Sequence, residues 1–63
     1  MRLVRFEDVN GSETFVNADR VNQISDFGSG TSEINFGSKE ASVFVAMEVT
    51  AVASTLLKAL TPR

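Results

Sequence analysis

The side chains able to do chemistry in this 63-residue chain are carboxylates, amides, hydroxyls and six basic groups, since it holds neither His nor Cys. That removes the commonest general base and metal ligand, every thiolate zinc site and any cysteine nucleophile. The densest run of oxygen donors is DVNGSE at 8–13, with Asp8, Asn10, Ser12 and Glu13. A calcium loop of the EF-hand kind needs Gly at its sixth position, a bidentate Glu at its twelfth and flanking helices. None of these is present, so the stretch reads as a hairpin turn. The Asn-Gly-Ser inside it matches a glycosylation acceptor, which has meaning only in a secreted chain.

GSGTS at 28–32 offers the glycines of a phosphate loop. Such a loop works because a helix N-terminus and several backbone N–H groups point at the anion, with a Lys close behind. Here a strand pattern follows and no Lys does, so a plain turn is expected. Arg2, Arg5 and Arg20 are the only basic residues in the first thirty positions, and Arg2 and Arg5 do not form a stripe along one strand face. An anionic ligand therefore finds no basic footprint. The five Phe alternate with β-branched residues, as core does, rather than forming a base-stacking platform. Neither Lys39 nor Lys58 falls in an evident apolar pocket that would depress its pKa. We expect no catalytic, cofactor-binding or metal-binding residues, and hence no enzyme.

The elements that position these side chains must be small. A chain of this length makes one domain, 1–63, and buries only about 60% of the surface its unfolded form exposes. Without disulfides or a structural metal, oligomerisation is the remaining way to supplement its core. The hydrophobic fraction of 43% fits a folded chain, and the net charge of −2 argues against a nucleic-acid partner. The N-terminus MRLVRFEDVN lacks an apolar run of signal-peptide length, so a cytoplasmic location is expected.

The longest apolar stretch, ASVFVAMEVTAVASTLLKAL at 41–60, contains only Glu48 and Lys58 as charges. A membrane span would place Glu48 near its middle, at about 2.5–3.5 kcal/mol for a comparable acid, so no membrane association is expected. The periodicity also changes within it. Val43, Val45 and Met47 recur every second residue, with Phe44 and Ala46 opposite, as in a strand over 42–47. From Val49 the spacing becomes Val49, Val52, Ala53, Leu56, Leu57 and Leu60, the stripe of an amphipathic helix over about 48–60. Pro62 forbids its continuation.

Upstream, RLVRFE alternates as a strand, Asn10-Gly11 signals a hairpin, and TFVN supplies a second strand. NADRV reads as a single helical turn capped by Asn17. NQISDF gives a third strand with a bulge near Ser25–Asp26, and EINF a fourth with Ile34 and Phe36 inward. GSKE then turns into the strand at 42. The fold class expected is mainly β: a small five-stranded, SH3-like or Sm-like antiparallel barrel with a C-terminal helix. Its core should join Val43, Val45, Val49, Val52, Leu56 and Leu60 to Val4, Phe6, Phe15, Ile34 and Phe36.

DVNGSETFVNADRVNQI followed by TSEINFGSKEASVFVAMEVTAVASTLL resembles the small flagellar-motility proteins of the FlbD type. Their pattern is a strand, a Gly-containing hairpin, a hydrophobic-Asn-Pro-Asp segment, two further strands and a helix. Ala18 stands where that family usually has Pro, and the acidic start of the helix is mostly missing. The family has no agreed catalytic residues to carry over. The strand count is also similar to Sm-like and Hfq-like barrels, which form rings and bind RNA, although those place their helix first.

One surface stands out. The helix face opposite the apolar stripe carries a single charge, and Ala51, Thr55 and Ala59 lie four apart, a ridge that permits close helix approach. Strand 42–47 is apolar on both faces, as if covered twice. We therefore expect Phe44, Ala46, Ala51, Thr55 and Ala59 at a homo-oligomer interface, in a dimer or small ring, with another protein as a further candidate partner. The expected function is a non-catalytic, self-associating binding or assembly module. The alternative is an Sm-like, ring-forming RNA binder.

Overall fold

The computed structural model describes residues 2–37 and 41–61. Ser38, Lys39 and Glu40 of the expected GSKE turn, and Pro62, lie outside the described residues. Five strands precede one helix: Leu3–Glu7 (β1), Glu13–Asn17 (β2), Gln23–Gly28 (β3), Thr31–Asn35 (β4), Ser42–Val45 (β5) and Val49–Leu60 (α1). A 3-10 turn, Ala18–Arg20, links β2 to β3, and the Asn17 side chain caps it by accepting from Asp19 N–H at 3.1 Å. No helix among the described residues is long and apolar enough to cross a membrane.

The chain is mainly β with a C-terminal helix, as expected, but its strands do not close into a barrel. β1 and β2 form one antiparallel sheet, and β3, β4 and β5 another in that order. A bridge between Asp8 and Val45 joins them, flanked by Ala46 N–H to the Glu7 carbonyl at 2.9 Å and Val9 N–H to the Phe44 carbonyl at 3.3 Å. The outermost strands, β2 and β3, do not pair with each other. Instead α1 packs across β1, β3, β4 and the 3-10 turn, covering the inner faces that closure would otherwise enclose.

The core is Phe6, Val16, Ala18, Ile34, Val45, Val52 and Leu56, all buried, with Val4, Ile24, Phe36, Val43 and Leu60 among those packed against them. Of the expected core, Val49 is half-buried and stands outside the packed cluster, and Phe15 is turned outward; Leu57 of the expected helix stripe is also exposed. Phe15 is 57% exposed. Its neighbour Val16 takes the inward position opposite Val4, and alternation then turns Phe15 outward beside Arg5. Leu57 is 63% exposed. The helix turns toward the sheets on the side of Val52, Leu56 and Ala59, which leaves Leu57 off the buried stripe.

The local signals are otherwise close. β5 ends at Val45 rather than at residue 47. The bulge in β3 lies between Asp26 and Gly28, further along than Ser25–Asp26, so Phe27 is the extra residue. The helix begins at Val49 and ends at Leu60, close to the 48–60 expected.

Candidate interaction surface

The segments that suggested ligand chemistry are turns. In DVNGSE, one Asp8 carboxylate oxygen accepts from both Asn10 N–H and Ser12 N–H at 2.9 Å. Asp8 N–H donates to the Ser12 carbonyl, and Gly11 N–H to the Asp8 carbonyl. One oxygen of the Asp8 carboxylate thus serves to close the β1–β2 loop. In GSGTS, Ser29 and Gly30 are the two central residues of a tight turn between antiparallel β3 and β4, with φ of 53° and 74°. No helix follows to aim N–H groups at an anion. Among the described residues, no three carboxylates converge in a way that could hold a metal ion.

The arginines near the N-terminus are paired. Arg2 bonds Asp19, and Arg5 bonds Glu13 across the hairpin. The hydrogen bond to Glu13, then its charge, raises the Arg5 pKa above the ordinary guanidinium value. Both pairs are solvent-exposed, where ion pairs contribute little to stability. Arg2 and Arg5 thus each have an acid beside them.

The five expected interface residues fall on two surfaces. Phe44 lies on the outer face of β5, since Val45 beside it points into the core. Its ring meets Phe27 edge-on, with centroids 4.9 Å apart and planes at 76°. That contact, made across β4 between a bulge residue of β3 and a residue of β5, had no signal in the sequence. Asp8, Val9, Asn10, Thr14, Val43 and Phe44 line a shallow groove of about 250 Å³ beside it. Ala46 is exposed just past the strand.

On the helix, Ala51 is exposed, Thr55 is half-buried with its hydroxyl donating to the Ala51 carbonyl at 2.8 Å, and Ala59 packs against the core. Residues four apart on a helix step about 40° around its axis, so the ridge winds from solvent toward the core. Ala59 is thus lost to the outer face, and the ridge shortens to Ala51 and Thr55. The inner face of β5 meets the core that α1 covers, so Phe44 is directed away from the helix ridge.

No family model matches the chain, and neither a curated protein nor a solved structure proves similar to it. The class is therefore given by architecture: a mainly β domain of two small antiparallel sheets under one C-terminal helix.

Proposed function

We propose that this chain is a non-catalytic, self-associating β domain that serves as a binding or assembly module. The observation that carries the reading is the exposure of large apolar side chains. Leu3, Val9, Phe15, Phe27 and Leu57 are each 51% to 63% exposed beside a core of seven buried apolar residues. A domain this small gains much from covering such surface, at roughly 25 cal/mol per Å². Phe44 and Ala46 on the sheet side, with Ala51 and Thr55 on the helix side, add weakly charged area. The non-catalytic part is supported by the residue inventory, which lacks His and Cys, and by carboxylates committed to turns and ion pairs.

Light scattering on the purified chain tests the reading. A solution mass of two or more chains is expected at micromolar concentration, and a strict 6.8 kDa monomer would overturn it. Titration with single-stranded RNA is the second arm. Tight binding that falls steeply with salt would replace assembly with nucleic-acid recognition, because phosphate contacts release counterions.

A further inference from the structure

We propose that two copies of the chain join edge to edge through β2, antiparallel about a two-fold axis at Phe15. This rests on the self-association reading and names the surface that carries it.

The argument begins with where backbone groups point. In an antiparallel pair, residues alternate between those whose N–H and C=O face the partner strand and those whose groups face away. Asp8 N–H donates to the Ser12 carbonyl at one end of the hairpin, and Ala18 N–H donates to the Arg2 carbonyl at the other. Between them the register pairs Phe6 with Thr14 and Val4 with Val16. Alternation therefore directs the backbone groups of Thr14 and Val16 toward β1. Those of Glu13, Phe15 and Asn17 point to the other side of β2, where no strand is paired.

This edge is complementary to itself. A two-fold axis at Phe15 sets Phe15 against the partner's Phe15, and Glu13 against the partner's Asn17. Every outward N–H at these three positions then meets an outward C=O. The side chains agree with the backbone. Phe15 stands on the outer face with Leu3 on its diagonal, each 57% exposed, and the partner's ring would lie beside them. Glu13 meets a neutral amide rather than a second carboxylate, so no like charges oppose.

Exposed strand edges are normally guarded by Pro, charged side chains (Lys above all) or a bulge. β2 reads Glu-Thr-Phe-Val-Asn and pairs with β1 in unbroken register, so it has no Pro, Lys or bulge, and its one charge, Glu13, sits at the end and is paired with Arg5 of the same chain. The other free edge, β3, has its bulge between Asp26 and Gly28. Of the two edges, β2 is the less guarded one.

The chain contains no Cys, so single-cysteine variants report position directly. Directly opposed, hydrogen-bonded residues have Cα atoms about 5.5 Å apart, within the roughly 4.4–6.8 Å that a disulfide spans. With an added oxidant, Phe15→Cys should give a covalent dimer, while Ser54→Cys on the outer helix face should not. Phe15→Lys should halve the solution mass and leave the circular dichroism spectrum unchanged, and Glu13→Lys should act in the same direction. A dimer that survives Phe15→Lys, with no Phe15→Cys crosslink, would overturn the β2 edge and leave self-association standing. A mass lowered by Thr55→Lys and not by Phe15→Lys would overturn it in favour of the helix ridge. A single-chain mass for the unmodified protein would overturn both readings.

Discussion

Ser32 donates its hydroxyl to the Met47 carbonyl across 2.6 Å, tying the start of β4 to the residue where strand gives way to helix. Ser32 is fully buried, the one buried polar side chain among the described residues. Met47 lies after the β5 ladder ends and before α1 begins, so its carbonyl has no place in either regular pattern. The serine fills that gap. Ser32→Ala should lower stability by about 1–3 kcal/mol, the range for leaving a buried polar group without its partner. A thermal melt unchanged by the substitution would mean that the carbonyl finds water instead.

Leu56 and Leu57 are neighbours in sequence with opposite fates. Leu56 is 6% exposed and belongs to the core, whereas Leu57 stands in solvent. Leu56→Ala should cost about 2–5 kcal/mol, enough to unfold so small a domain at moderate temperature. Leu57→Ala should cost under about 0.5 kcal/mol, as surface changes do. Equal losses in urea titrations of the two variants would show that the helix docks on a different face.

The helix, the capped turn at Asn17 and the strand-to-helix changeover were legible because each is a local pattern. The error at Phe15 arose from register. Reading Asn10-Gly11 as a two-residue loop would place Phe15 opposite Phe6, on the inner face. The actual loop runs from Asp8 to Ser12, with Gly11 at φ 86° and Asn10 outside the positive-φ region. One residue of slip turns the whole strand over. Barrel closure was equally beyond local reading, because it depends on where α1 packs between distant strands. The Phe27–Phe44 contact needed both the bulge position and the β3–β4–β5 order. Of the expected surface, Ala59 is half-buried against the core, because helical spacing alone does not say which side of the stripe meets it.

Ala18 opens the 3-10 turn that follows β2, directly after the capping Asn17. Its N–H donates to the Arg2 carbonyl at 2.9 Å, fastening the beginning of β1 to the end of β2. Proline has no N–H to give, although its fixed φ suits the first residue of a helical turn. Ala18→Pro should therefore destabilise the chain by about 0.5–1.5 kcal/mol, the usual net worth of one hydrogen bond. Hydrogen exchange at the chain start should quicken in parallel. A stabilised variant would show that the rigid ring outweighs the lost bond.

The turn from β3 to β4 offers the opposite kind of change. Its two central residues, Ser29 and Gly30, both have positive φ, the geometry whose twist suits a two-residue hairpin. Serine is poorly matched to that region, where an L residue carries a cost of roughly 1–2 kcal/mol. Asn tolerates it far better and gives the Asn-Gly pair that such turns favour. Ser29→Asn should then raise stability by up to about 1 kcal/mol, without touching any packed group. Gly30→Ala tests the same geometry from the other side. A Cβ at Gly30 would meet nothing within 4 Å, so any loss is conformational rather than steric contact with neighbours. That loss should reach about 1–2 kcal/mol. Parallel melts of the two variants should move in opposite directions, and a shift of the same sign in both would show that the turn does not hold these angles in solution.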